Sequence, residues 1–164
     1  MHPRYLLLLS LFALSACGFH LRGTQVASKA GISELAIKSV AAPLIATQVS
    51  SQLQLGGTRI VEPTDKPGRV LTLSNETFDR DVLSVSADTG KVKEYQLTLH
   101  VNMSVSGGDD KPLIDSETIS ISRDYTFDES SILGKSNEET SLREDLVRQV
   151  SAQIVRRVNA VIGD

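Results

Sequence analysis

Between Tyr95 and Val105 the chain alternates without a break: Tyr95, Leu97, Leu99, Val101, Met103 and Val105 against Gln96, Thr98, His100, Asn102 and Ser104. A period of two puts successive side chains on opposite faces, so this segment is a long strand with one buried and one wet face. The turn Ser106-Gly107-Gly108-Asp109-Asp110-Lys111 follows, and then a second strand with Ile119, Ile121, Tyr125 and Phe127 on one face, interrupted by Arg123. Two alternating strands joined by a glycine-rich turn predict an antiparallel hairpin.

The rest of the pattern supplies layers to cover that hairpin. Glu34 to Val40 reads as a first strand, with Leu35 and Ile37 on one face. Pro43 suits the first turn of a helix, where its missing N–H costs nothing. Ile45, Val49 and Leu53 then recur every four residues, with Leu44 and Leu55 beside them, until Gly56-Gly57 stops the helix. Thr58 to Glu62 is a short strand, and Pro63 to Gly68 a loop. Arg69 to Ser86 is rich in strand formers but poorly patterned, and Asp88-Thr89-Gly90 marks a turn. A long helix closes the chain, with Leu142, Leu146, Val150, Ile154 and Val158 in steps of four, widened by Val147, Val161 and Ile162. Ser136 or Asn137 is its expected cap, and Glu138 and Glu139 suit the positive end of its dipole. The expected fold class is α+β, a two-layer sandwich with two helices packed on one face of a mixed four- to five-stranded sheet.

The amino terminus carries a different message. Arg4 precedes an apolar run from Leu6 to Leu14 that only Ser10 interrupts. That run is too short for a permanent span, which takes about 20 apolar residues, and it has the form of a secretory signal. Leu14-Ser15-Ala16-Cys17 ends it on the one cysteine of the chain. This is a lipobox pattern, with cleavage before Cys17 and acylation of its thiol and its new amino group; the plainer alternative is an ordinary cleavage site beside an unpaired thiol. Several acyl chains anchor stably where one does not. Gly18, in place of a retaining aspartate, points to the outer membrane. The expected organisation is a signal peptide over 1–16, a lipidated tether over 17–32, and one α+β domain over 33–164.

Composition removes several function classes. One cysteine allows no internal disulfide, and three histidines leave little for metal or acid–base chemistry. No tryptophan, 4% aromatic residues and a net charge of −3 give a nucleic-acid partner no support. No serine elbow or carboxylate constellation accompanies His100. The sequence therefore predicts no enzyme, no cofactor and no metal.

Cys17-Gly18-Phe19-His20-Leu21-Arg22-Gly23, Glu94-Tyr95-Gln96-Leu97 and the stretch from Arg123 to Lys135 together resemble the LPS-assembly lipoprotein family LptE, also called RlpB, over essentially the whole chain. The resemblance implies a partner rather than a reaction. It implies a plug in the lumen of the outer-membrane β-barrel LptD, the lipopolysaccharide translocon, and direct contact with lipopolysaccharide through basic loops at one end of the sheet.

Lys135 matches one such basic position, in the loop expected before the last helix. A second, in the turn before the long strand, is occupied here by Asp88 and Thr89, leaving Lys91 and Lys93 just beyond as substitutes. Lysines can meet lipid A phosphates as flexible point charges, and the plain alternative for all three is solvent exposure. Arg123 either snorkels from a sheet edge or touches the barrel wall. The polar face of the long strand carries no charge, which suits either the polar interior of a barrel or simple exposure. A rival reading makes the chain an independent lipoprotein holding a small amphiphile in a closed apolar pocket between sheet and helices.

Overall fold

The computed structural model describes residues 32–65, 67–127 and 132–163. The expected signal peptide, the tether as far as residue 31, and Cys17 lie outside them. The alternating segment forms β4 (Val92–Gly107). Leu97, Leu99, Val101, Met103 and Val105 are each no more than 1% exposed, as the period of two requires. It lies between β3 (Arg69–Val85) and β5 (Pro112–Thr126), antiparallel to both. β1 (Glu34–Val40) pairs parallel with β3 and with the short edge strand β2 (Arg59–Val61), giving a five-stranded mixed sheet in the order β2-β1-β3-β4-β5.

The poor pattern of residues 69–86 has a mechanical cause. Leu71 and Leu73 pair with Val105 and Met103, whereas after a register shift Phe78, Arg80 and Val82 pair with Leu99, Leu97 and Tyr95. The buried face is thus carried by odd positions before the bulge and even positions after it, because one inserted residue moves every later side chain to the other face. The bulge is built on Asn75, whose φ of 55° is one that asparagine tolerates better than most residues.

That bulge also fixes the first helix, α1 (Pro43–Leu55). Its N-cap, Ala42, has no side chain able to accept a hydrogen bond. Instead the Glu76 carboxylate reaches across and accepts from the Leu44 and Ile45 amides, both at 3.1 Å. Pro43 has no N–H, and the Ala46 amide donates back to the Ala42 carbonyl at 3.1 Å, so the donors of the first turn are accounted for. Ile45, Val49 and Leu53 bury the expected stripe. Leu44 and Leu55, expected beside that stripe, are exposed instead, at 55% and 87%. Gly57, at φ 92°, takes the left-handed turn that ends the helix.

The second helix, α2 (Ile132–Ile162), runs 31 residues and spans on the order of 46 Å. It begins earlier than expected, so Ser136 and Asn137 sit inside its first turns rather than at its cap. Lys135, expected in a loop, has helical backbone. Once a helix is nucleated each added residue is cheap, and no proline stops it before Ile132. Leu146, Val150, Ile154, Val158 and Ile162 are buried against the sheet and α1. The Ile162 carbonyl, left without a partner by the end of the helix, accepts from Arg69 at 3.2 Å. Ile32, the last residue of the expected tether, joins this core at 2% exposure. Both helices therefore lie on one face of the sheet. Among the described residues, no helix is long and apolar enough to cross a membrane.

Candidate functional site

With both helices on one face, the other face of three long strands is uncovered among the described residues. The register aligns Thr72, Ser74, Thr77, Asp79 and Asp81 of β3 with Ser104, Asn102, His100, Thr98 and Gln96 of β4. On the other side of β4 stand Thr118, Ser120, Ser122 and Asp124 of β5. Hydroxyl and amide groups predominate, and they are tied across the strands. Thr98 and Ser122 share a hydrogen bond of 2.9 Å, Thr118 donates to Asn102 at 2.7 Å, and Gln96 donates to Asp124 at 2.8 Å. From Gln96 to Ser104 the face of β4 is uncharged, and the next residue along it is Glu94, whose carboxylate accepts from Ser84 at 2.7 Å. The flanking strands add the carboxylates Asp79, Asp81 and Asp124 at one end, where Asp79 lies 3.4 Å from His100 Nε2.

That end also gathers the basic residues. Lys91 closes the β3–β4 turn, where the Ser86 amide donates to its carbonyl at 2.7 Å, and its side chain is exposed. Lys93 is exposed and lies in β4, but the register passes from Glu94 directly to Val92, so Lys93 occupies an unpaired bulge position. Alternation alone would put Lys91 and Lys93, two residues apart, on one face; with Lys93 in the bulge they do not share one regular pleat. Arg123 lies opposite Leu97 on the edge strand β5. It donates to the Gln149 side chain of α2 and to the Ser122 carbonyl, so it reaches outward from the helix-covered face, the snorkelling geometry expected at a sheet edge. The backbone of Lys135, in the first turns of α2, stands at the same end as the β3–β4 turn. Cys17 lies outside the described residues.

A cluster that the sequence reading missed sits where this end meets the body of the molecule. Glu139 Oε1 accepts two hydrogen bonds from Arg143, at 2.9 and 3.2 Å. Its Oε2 accepts from Tyr125 at 3.0 Å and from Arg80 at 3.3 Å. The Arg80 guanidinium stands 4.5 Å over the Tyr95 ring and that of Arg143 4.8 Å over Phe78. Tyr95 stacks on Tyr125 and meets Phe127 edge-on. The hydrogen bonds from Arg143, above all, hold the Glu139 carboxyl below its ordinary range, while burial raises the Tyr125 hydroxyl. The Glu139–Arg143 spacing of four was visible in the sequence as a helical ion pair. Arg80 was not, because the phase change at Asn75 hides which face it takes.

A cleft of about 670 Å³ opens between α1, β3 and α2, lined by Leu44, Phe78, Val147 and Arg143 among others. It faces solvent between the helices. The space between sheet and helices, where the rival reading needs a closed pocket, is filled by Leu35, Leu71, Leu99, Met103, Leu146 and Ile154.

Comparison with known proteins agrees with this architecture. The family model LptE, Lipopolysaccharide-assembly, matches residues 32–158. An LPS-assembly lipoprotein LptE from Pectobacterium atrosepticum is 32% identical, over 99% of this chain and 88% of that one. The crystal structure of rare lipoprotein B from Shewanella oneidensis is 26% identical and superposes with a TM-score of 0.67, covering 77% of this chain and 94% of that one. The solution structure of a lipoprotein B from Nitrosomonas europaea, at 23% identity, shares the fold with a TM-score of 0.72 over 87% of this chain and 91% of that one.

Proposed function

The chain belongs to the LptE family of lipopolysaccharide-assembly lipoproteins, and on that premise we propose that it acts without catalysis, as a lipid-anchored plug of the outer-membrane barrel LptD. In this reading Cys17 carries the acyl chains that hold the chain at the inner surface of the outer membrane. The folded part enters the barrel, and its basic end meets lipopolysaccharide on the way to the cell surface.

The observation that carries the proposal is the sheet face that no helix covers among the described residues. β3, β4 and β5 are 17, 16 and 15 residues long, or roughly 50 Å each at a rise of about 3.3 Å per residue. An open apolar face of that size would aggregate. This one instead presents short hydroxyl and amide groups whose mutual hydrogen bonds hold them in place, which complements the polar lumen of a large barrel. Short side chains lose little conformational entropy on docking, so a broad, shallow contact becomes favourable. A permanent partner of this kind buries well over roughly 1,000 Å².

The basic end supplies the second half of the reading. Lys91 and Lys93 lie at the β3–β4 turn, Lys135 belongs to the opening turns of α2, and Arg123 stands about three residues along β5 from the turn end; in this reading they act together. Lysines suit phosphates presented in varied orientations, since a point charge on a flexible stem imposes no fixed fork geometry.

Co-purification from detergent-solubilised outer membranes of the native host tests the first half. The proposal requires a large barrel protein in constant ratio with the chain. Recovery of the lipoprotein alone, at all detergent conditions that keep the barrel folded, would refute it.

A further inference from the structure

The four-residue cluster around Glu139 lies at a branch point. From Tyr95, two residues of β4 lead outward to Lys93, about 6–7 Å along the strand. From Glu139, one turn of α2 leads outward to Lys135, about 6 Å along the helix axis. Among the described residues, Glu139 is the first side chain of α2 bonded to the sheet, through Arg80 of β3 and Tyr125 of β5. The Phe127 amide donates to the Lys93 carbonyl at 2.6 Å, which ties the end of β5 to the same place. The hairpin and the helix are thus joined at this level, and both basic segments project beyond it.

We propose that Glu139 is the positioning residue of the basic end, setting the first turns of α2, and with them Lys135, in register with the β3–β4 turn that carries Lys91 and Lys93. The inference rests on the reading of that end as the contact for lipopolysaccharide. Its physical basis is the division of labour along α2. The helix is docked by the buried Leu146, Val150, Ile154, Val158 and Ile162 and by the partly buried Leu142, all of them on the carboxyl-terminal side of Glu139. Loss of the carboxylate leaves that stripe intact. It frees only the outer turns, because Arg80 and Tyr125 then have no acceptor on the helix and Arg143 loses its anchor. Both oxygens are used, one by Arg143 and one shared by Arg80 and Tyr125, so neither a shorter acid nor an amide reproduces the arrangement.

The test uses the full lipidated chain in detergent, spin-labelled at Asp88→Cys and Ser136→Cys, with distances read by double electron–electron resonance and affinity measured for purified lipopolysaccharide. Glu139→Gln is expected to broaden the distance distribution and weaken lipopolysaccharide binding about fivefold, as loss of a partly exposed ion-pair network allows. Tyr125→Phe, which removes the hydroxyl that bonds Glu139 and keeps the ring, is expected to act in the same direction and less. An unchanged distribution in both variants overturns the inference, as does a broadened distribution with unchanged affinity. Lys135→Glu, measured alongside, separates the two levels: if it leaves lipopolysaccharide binding untouched, the reading of the basic end itself fails, whatever Glu139 does to the distances.

Discussion

The cap on α1 comes from another strand, which makes it a sharp test of how this sheet and its helices hold together. Glu76→Ala removes two hydrogen bonds from a carboxylate to the Leu44 and Ile45 amides, each 3.1 Å long. It spares the backbone bond from the Glu76 amide to the Ala41 carbonyl at 3.0 Å, so the bulge itself survives. Loss of a capping side chain costs about 1 kcal/mol. Loss of the negative charge at the positive end of the helix dipole adds roughly 0.3–1 kcal/mol. Of the two amides the variant uncaps, that of Leu44 is exposed and that of Ile45 partly buried. The expected total is about 1.3–2 kcal/mol, read as a fall in the urea midpoint at unchanged slope. Glu76→Gln keeps an acceptor and loses the charge, and should cost about half as much. Glu62→Ala, an exposed carboxylate outside any helix, is the control. If Glu76→Ala costs no more than Glu62→Ala, the cross-strand cap contributes nothing and the account of the bulge is wrong.

Three further outcomes follow from other parts of the molecule. Ser151 is fully buried on α2 and among the described residues its hydroxyl has no hydrogen-bond partner, so Ser151→Ala should raise stability by about 1 kcal/mol, through relief of desolvation and better helix propensity; a lower melting temperature would refute this. The carboxyl of Glu139 titrates below its ordinary range, so its contribution is complete above the unfolded-state value and is lost as pH falls through the lower folded-state value. Glu139→Gln should therefore flatten acid destabilisation below about pH 4.5, and identical acid profiles for variant and parent would refute the linkage. Lys135→Glu should weaken lipopolysaccharide binding more than Lys38→Glu, an exposed lysine of β1; equal losses in a direct binding assay would mean that bulk charge alone matters.

The sequence exposes what is periodic and hides what depends on a single inserted residue. β4 and the buried stripes of both helices were legible because eleven alternating residues, and leucines and valines four apart, can satisfy only one geometry each. The phase of β3 was not, since Asn75 shifts it mid-strand and sends Arg80 to the helix side. The remote cap was invisible for the same reason: Glu76 looks like any strand glutamate until the bulge aims it at α1. The start of α2 was placed too late because Ser136 and Asn137 resemble caps, while a helix already held by its buried stripe extends past them. Of the candidate site residues, Arg123 takes the edge geometry that its place in an apolar alternation suggested. Lys91 and Lys93 lie at the β3–β4 turn and not on one regular pleat, because a bulge at Lys93 breaks the alternation.

The central claim is that the open face of the sheet is seated against a barrel wall. Photo-crosslinking amino acids placed one at a time at His100, Asn102 and Ser104 of β4, and at the exposed Leu55 of α1 for comparison, test it in living cells of the native host. The account predicts adducts to a single large outer-membrane barrel from the three β4 positions, stronger than from Leu55. Adducts to that barrel from Leu55 alone, with the β4 positions reacting only with water, would contradict it.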